Sequence, residues 1–145
     1  MPFDLPSDLV AELVADAEAR APHEACGLLT GPAHDRRGAS VDGYVPLPNR
    51  ARSSRHFEID PIEFLTAIDA LDASGRVLRG IFHSHPDGPP APSDADLRGA
   101  WPGLRQVICA LRDGRAVAIA VFDTAGAPWP GATHLELAPS PGAAR

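Results

Sequence analysis

Apolar residues recur along this chain with two different periods, and the switches between them mark out the elements. Between 7 and 21, Leu9, Val10, Leu13, Val14 and Ala17 form a stripe at three- and four-residue spacing. That spacing predicts an amphipathic helix with Ser7 as its N-cap and Pro22 ending it. ACGLLTG (25–31) is a continuous apolar run of strand length and predicts a buried strand, followed by the polar loop GPAHDRRGAS. VDGYVPLP (41–48) predicts a second strand near a sheet edge, because its prolines cannot donate to a ladder. HFEID (56–60) alternates and predicts a short strand. Asp60-Pro61-Ile62-Glu63 then reads as a helix start, with Asp as cap and Pro in the first position. Ile62, Leu65, Ile68 and Leu71, with Phe64, make its expected buried face, and Gly75 its stop.

VLRGIFHSH (77–85) predicts the next strand, and SDADLRGAW (93–101) a short helix beginning at Ser93. RQVICALRDGRAVAIAVFD (105–123) predicts a hairpin turning at Asp113-Gly114. THLELAP (133–139) supplies a last strand, with 140–145 as a loose tail. Some six strands interleaved with helices, several joined by hairpins, indicate one α/β domain over 1–139, a mixed sheet flanked by helices.

Composition narrows the function. The chain has 145 residues, 44% hydrophobic and 22% charged, as expected of one globular domain that buries a core without staples. All 13 basic residues are arginine, which together with 16 prolines reflects coding bias more than function. A net charge of −6 disfavours nucleic acid and membrane surfaces as partners. The N-terminus has no signal-peptide pattern, and AVAIAVF (116–122), the longest apolar run, is too short to span a bilayer, so the expected compartment is the cytoplasm. Cys26 and Cys109 lie in apolar runs and read as small buried hydrophobes. The basic island RARSSR (50–55) is either a solvated loop or a clamp for an acidic partner.

The chemistry concentrates in HSHPDGPPAPSDAD (83–96). Alternate strand residues share a face, so His83 and His85 point the same way, about 6–7 Å apart at Cα, and can converge on a metal. Ser93-x-x-Asp96 is first of all a capping box, yet a capped turn also holds Asp96 rigidly at the end of the loop. The proline-rich connector is stiff, and long enough to return Asp96 to the histidines. Two imidazoles and one carboxylate leave a tetrahedral position open, as in catalytic zinc sites, although iron(II) uses the same donor set. Glu24, in HEACGLL (23–29), could serve as a base; standing alone it would be a surface residue after a helix. His23, His34, His56 and His134 are scattered and read as exposed or locally bonded. Asp87 and Asp94 lie near the ligands but out of their register. Trp101 and Trp129 are expected at core edges, Trp101 with a further option of lining a substrate groove.

Glu24 in E-A-C-G-L-L, then His83-x-His85-Pro86, then Ser93-x-x-Asp96 resembles the JAMM (MPN+) metalloprotease family. The resemblance runs from Glu24 through Asp96 and takes in Asn49 and F-E-I-D-P (57–61). It implies one Zn²⁺ per chain on His83, His85 and Asp96, Glu24 as general acid/base, and the Ser93 hydroxyl at the oxyanion. It also implies a mixed, curved sheet with packed helices, similar to the cytidine deaminase superfamily, whose own H-x-E…P-C-x-x-C signature is absent. Small bacterial members of the family imply a peptidase or isopeptidase cleaving after the glycine-ending tail of a ubiquitin-like or sulfur-carrier protein. A non-catalytic binding module and a metallopeptidase for small or cell-wall peptides are the alternatives.

Overall fold

The N-terminal stripe becomes helix α1 (Ser7–Arg20), which buries Leu9, Leu13 and Ala17. The computed structural model describes residues 5–35, 40–129 and 134–137. Helix α1 starts earlier than expected. Pro6, not Ser7, holds the cap position, and its carbonyl accepts the first helical hydrogen bond, from Val10 N–H at 3.0 Å. Ser7 is drawn into the first turn because the proline's fixed φ already sets the entry angle. At the other end Ala21 is extended, as a residue before proline prefers.

Six strands form one sheet: β1 (Cys26–Pro32), β2 (Gly43–Leu47), β3 (Arg76–His85), β4 (Arg105–Arg112), β5 (Arg115–Phe122) and β6 (Leu135–Glu136), in the order β2-β1-β3-β4-β5-β6. Among the described residues only β3 and β4 run parallel; every other neighbour is antiparallel. A parallel pair needs a crossover, and the chain makes it through the loop after His85 and the short helix α3 (Asp94–Arg98). Asp113 and Gly114 both take positive φ (51° and 79°), the primed turn that matches the twist of β4 and β5.

Helix α1 packs on one face, against Leu29, Phe82, Val107, Cys109 and Ile119. Helix α2 (Pro61–Ala73) covers part of the other face through Phe64, Ala67 and Ile68, over Leu28, Leu47 and Ile81. The sheet is therefore the middle of three layers, with both cysteines buried and free. β2 is an edge strand, as its prolines require.

Three further expectations are corrected. HFEID is not a strand: its backbone bonds go to the loop before it, Arg50 N–H to Glu58 O at 2.8 Å and Glu58 N–H to the Asn49 side chain. Its alternation is real all the same, with Phe57 and Ile59 turned inward. Second, Ile62 (75% exposed) and Leu65 (60%) leave the buried face of α2. Positions 64, 67, 68 and 71 make the continuous stripe, and Ile62 lies about 200° round the helix from Phe64. Third, the last strand is short, pairing Leu135 and Glu136 with Ile119 and Ala118. The expected tail, 140–145, lies outside the described residues. Among those described, no helix is long and apolar enough to cross a membrane.

Candidate metal centre

The antiparallel register of β1 and β3 builds the site before any side chain is considered. Cys26 faces His83 across the ladder, and the pairing continues with Ser84 N–H donating to Ala25 O at 3.0 Å. Two residues beyond Cys26, Glu24 therefore arrives beside His85. On β3, Phe82 faces the α1 core while Ile81, His83 and His85 face the other way.

Asp96 reaches the same place from α3. Ser93 and Asp96 form the complete capping box: Asp96 N–H donates to Ser93 Oγ (3.1 Å), and Ser93 N–H to Asp96 Oδ2 (2.8 Å). The connector does more than return the chain, since Pro89 O meets His85 Nδ1 at 2.8 Å. In the neutral ring an Nδ1–H donating there leaves Nε2 with the lone pair a ligand needs, whereas the protonated, metal-free ring donates from both nitrogens, to Pro89 O and to Asp96.

His83 Nε2, His85 Nε2 and Asp96 Oδ2 form a triangle with edges of 3.3, 3.1 and 3.0 Å. A tetrahedral ion with bonds of about 2.0–2.1 Å needs donor separations of about 3.3–3.4 Å, so the three atoms fit one with a few tenths of an ångström of adjustment. With Glu24 they make a four-residue group whose ligand atoms all lie within 4.8 Å of one another. Glu24 Oε1 is buried with no hydrogen-bond partner among the described residues, and a buried carboxylate oxygen calls for one.

The electrostatics are those of a crowded buried cluster. Burial pushes the Glu24 carboxyl up to about 7; His85 pulls it down and Asp96 adds to the rise. Burial works against Asp96 ionising, but hydrogen bonds from His83 and His85 overcome it and hold the carboxyl far below the usual range. His83 is lowered by its complete burial. For His85 burial also lowers, yet the bonds to Asp96 and Pro89 leave it raised.

Ser93 is half-buried at the rim, and among the described residues its own O–H has no acceptor. A cleft of about 380 Å³ opens beside the cluster, lined by Phe57, Ile59, Ile81, Asp96, Trp101 and Leu104 among others. Trp101 stands as its wall, 42% exposed and edge-on to Phe64. Trp129 packs at the edge of the α1 core under the Arg105 guanidinium. His23, His34 and His56 are exposed and outside the cluster, His134 pairs with Glu136, and Asp87 and Asp94 face solvent. Within the basic island, Arg50 lies 3.5 Å from Asp60 and 3.8 Å from Glu58, while Arg52 and Arg55 are exposed.

Two supporting residues have no role in a motif reading. Phe57 stacks on His83, ring centroids 4.8 Å apart at 26°. Ser84, between the histidines, accepts the Ala25 N–H at 2.7 Å and so ties the Glu24 segment to β3. The signal for Ser84 was present: a polar residue on the inward face of a buried strand needs a partner.

Comparison with known proteins identifies the family and the fold. Residues 6–125 match the family model described as prokaryotic homologs of the JAB domain. A desampylase of Haloferax volcanii is 37% identical over 67% of this chain and 68% of its own. A probable TtuB-protein conjugate cleaving protease of Thermus thermophilus is 35% identical over 81% and 82%, and a CysO-cysteine peptidase of Mycobacterium tuberculosis 33% over 74% and 72%. The solution structure of a Desulfitobacterium hafniense protein superposes with a TM-score of 0.71 at 36% identity, covering 87% of each chain. A JAB1/MPN domain protein of Archaeoglobus fulgidus shares the fold at a TM-score of 0.55 and 19% identity, over 86% of this chain and 92% of its own. The chain belongs to the prokaryotic JAB-domain family and has the JAMM/MPN fold.

Proposed function

We propose that this chain is a zinc-dependent peptidase or isopeptidase that hydrolyses the amide bond after the C-terminal glycine of a ubiquitin-like or sulfur-carrier protein, acting in the cytoplasm. The observation that carries the reading is a buried carboxylate on Glu24, one oxygen without a partner among the described residues, within 4.8 Å of a three-donor face made by His83, His85 and Asp96. Structural zinc takes four protein ligands and catalytic zinc keeps water in the fourth position; Glu24 is read here as the base for that water. Relatives named for cleaving a protein conjugate and for a carrier-cysteine bond support the substrate class.

Zinc held by the three donors would supply Lewis acidity that lets water lose a proton near neutrality. Glu24 takes that proton as the C–O bond forms, and burial shifts it in the direction a base needs. The Ser93 O–H, unused by the cap, donates to the carbonyl oxygen as charge gathers there. Glu24 then gives its proton to the amine nitrogen as the C–N bond breaks, leaving a carboxylic acid and a free amine. A glycine tail has no side chains to exclude from the bottom of a narrow site, and the cleft beside Trp101 has room for the residues before it.

The test is to incubate zinc-loaded protein with three substrates: a Gly-Gly-tailed carrier ending in cysteine, the same carrier linked to a lysine, and short peptides of the tail alone. Cleavage of a carrier substrate well above the peptides is expected. Peptides cleaved equally well would favour the small-peptide reading, and binding without cleavage the non-catalytic module.

A further inference from the structure

One side chain outside the metal cluster holds the base and a ligand in a common frame. The Asn49 amide is fully used: Nδ2 donates to Glu24 O and His56 O, both at 3.1 Å, and Oδ1 accepts from Ala51 N–H and Glu58 N–H, both at 3.0 Å. The amide has one orientation only, since reversing it would set NH₂ against two donors and oxygen against two carbonyls.

These bonds differ in reach. The one to Ala51 closes a local turn. Those to His56 and Glu58 bracket Phe57, whose ring stacks on His83. The one to Glu24 crosses 25 positions of sequence to the residue read here as the base. Glu24 N–H donates to Ser53 O, at 2.7 Å, so both of its peptide groups end on the same loop. Glu24 lies just before β1 and outside the regular ladder, which on this side is anchored only from Ala25 onward through Ser84.

We infer that Asn49 is a positioning residue, which sets Glu24 relative to His83 by tying the backbone of the base to the loop that carries Phe57. The inference rests on Glu24 acting as the base. A misplacement of about 1 Å is enough to cost about 10²-fold in rate. A residue that only folded the loop would instead affect stability and, through Phe57 and Ile59 in the cleft wall, KM.

The experiment uses the full zinc-loaded chain with the carrier substrate it cleaves. Asn49→Asp keeps the shape and both accepted bonds but loses both donated ones; Asn49→Ala removes all four without adding charge. Both variants are expected to keep one zinc per chain and KM within about twofold while kcat falls about 10²-fold. In a Glu24→Gln background the same changes should cost almost nothing more, because the group they position is gone. Hydrogen exchange should quicken at Glu24 and Ala25 but not along β4 and β5. An unchanged kcat in both variants, loss of zinc, or an equal loss in the Glu24→Gln background overturns the inference. An inactive Glu24→Gln beside two fully active Asn49 variants overturns the inference and leaves the base assignment standing, whereas a Glu24→Gln that turns over normally removes the base assignment as well.

Discussion

In the proposed reaction Asp96, Ser93 and Glu24 have distinct duties, and substitution separates them. Asp96 makes half of the capping box and is the proposed third metal ligand, so Asp96→Ala should abolish stoichiometric zinc binding, measured by metal analysis after dialysis. Full zinc content in that variant would remove Asp96 from the ligand set. Ser93→Ala should cost about 1 kcal/mol through the cap and about 10²-fold in kcat through the lost donor. The two effects are read apart by urea denaturation and by turnover of the folded, zinc-loaded variant. Glu24 also marks the metal-free protein. Its folded pKa of about 7 exceeds the ordinary 4.5, so between those values the folded state holds the proton more tightly than the unfolded chain does. Stability of the chelated protein should therefore fall as pH rises from about 4.5 to 7, by at most about 3 kcal/mol from this group. Glu24→Gln should remove that part of the slope, and identical profiles for the two proteins would refute the burial account.

At the scale of elements, helix starts offer a paired measurement. Asp60 accepts from Ile62 N–H and Glu63 N–H, so Asp60→Ala should lower stability by about 1 kcal/mol. Ser7→Ala should change it by less than about 0.5 kcal/mol, since Pro6 holds the cap position. Likewise Leu65→Ala should be nearly neutral and Leu71→Ala cost about 2 kcal/mol or more, both in urea. Equal losses at Leu65 and Leu71 would return Leu65 to the core. These contrasts also show what local pattern conveys. The hairpin at Asp113-Gly114, the Asp60 cap and the Ser93–Asp96 box were legible because each is completed within a few residues. So was the cluster His83, His85 and Asp96, through strand period and a stiff connector. Which side of α2 is buried was not, because Ile62 and Leu65 are as apolar as Ile68, and only the sheet beneath decides between them. HFEID failed for a related reason: alternation marks which residues turn inward, but a strand also needs a free edge to pair with. The place of Glu24 depended on register between distant strands, and without the family resemblance no local signal marked it.

For the whole molecule, the arrangement of layers determines what a bound metal would be worth to the fold. The three donors come from the end of β3 and the first turn of α3, while the two main cores lie on either face of the sheet and contain none of them. A zinc finger has no such core and unfolds without its ion; here the sheet and α1 should persist. Binding to the folded state alone still stabilises by mass action, about 4 kcal/mol at a thousandfold excess over Kd. Chelation should therefore lower the melting temperature by several degrees and leave one cooperative transition with unchanged far-ultraviolet circular dichroism. Loss of the ion should be felt first in the segments that carry its donors. Hydrogen exchange should rise across the Pro86–Arg98 connector and α3, and at Glu24, with β4 and β5 unchanged. Global unfolding on chelation would mean that the cluster, not the two cores, holds the layers together. Exchange unchanged in α3 would mean that the capping box and the Pro89 contact suffice to fix Asp96 without a metal.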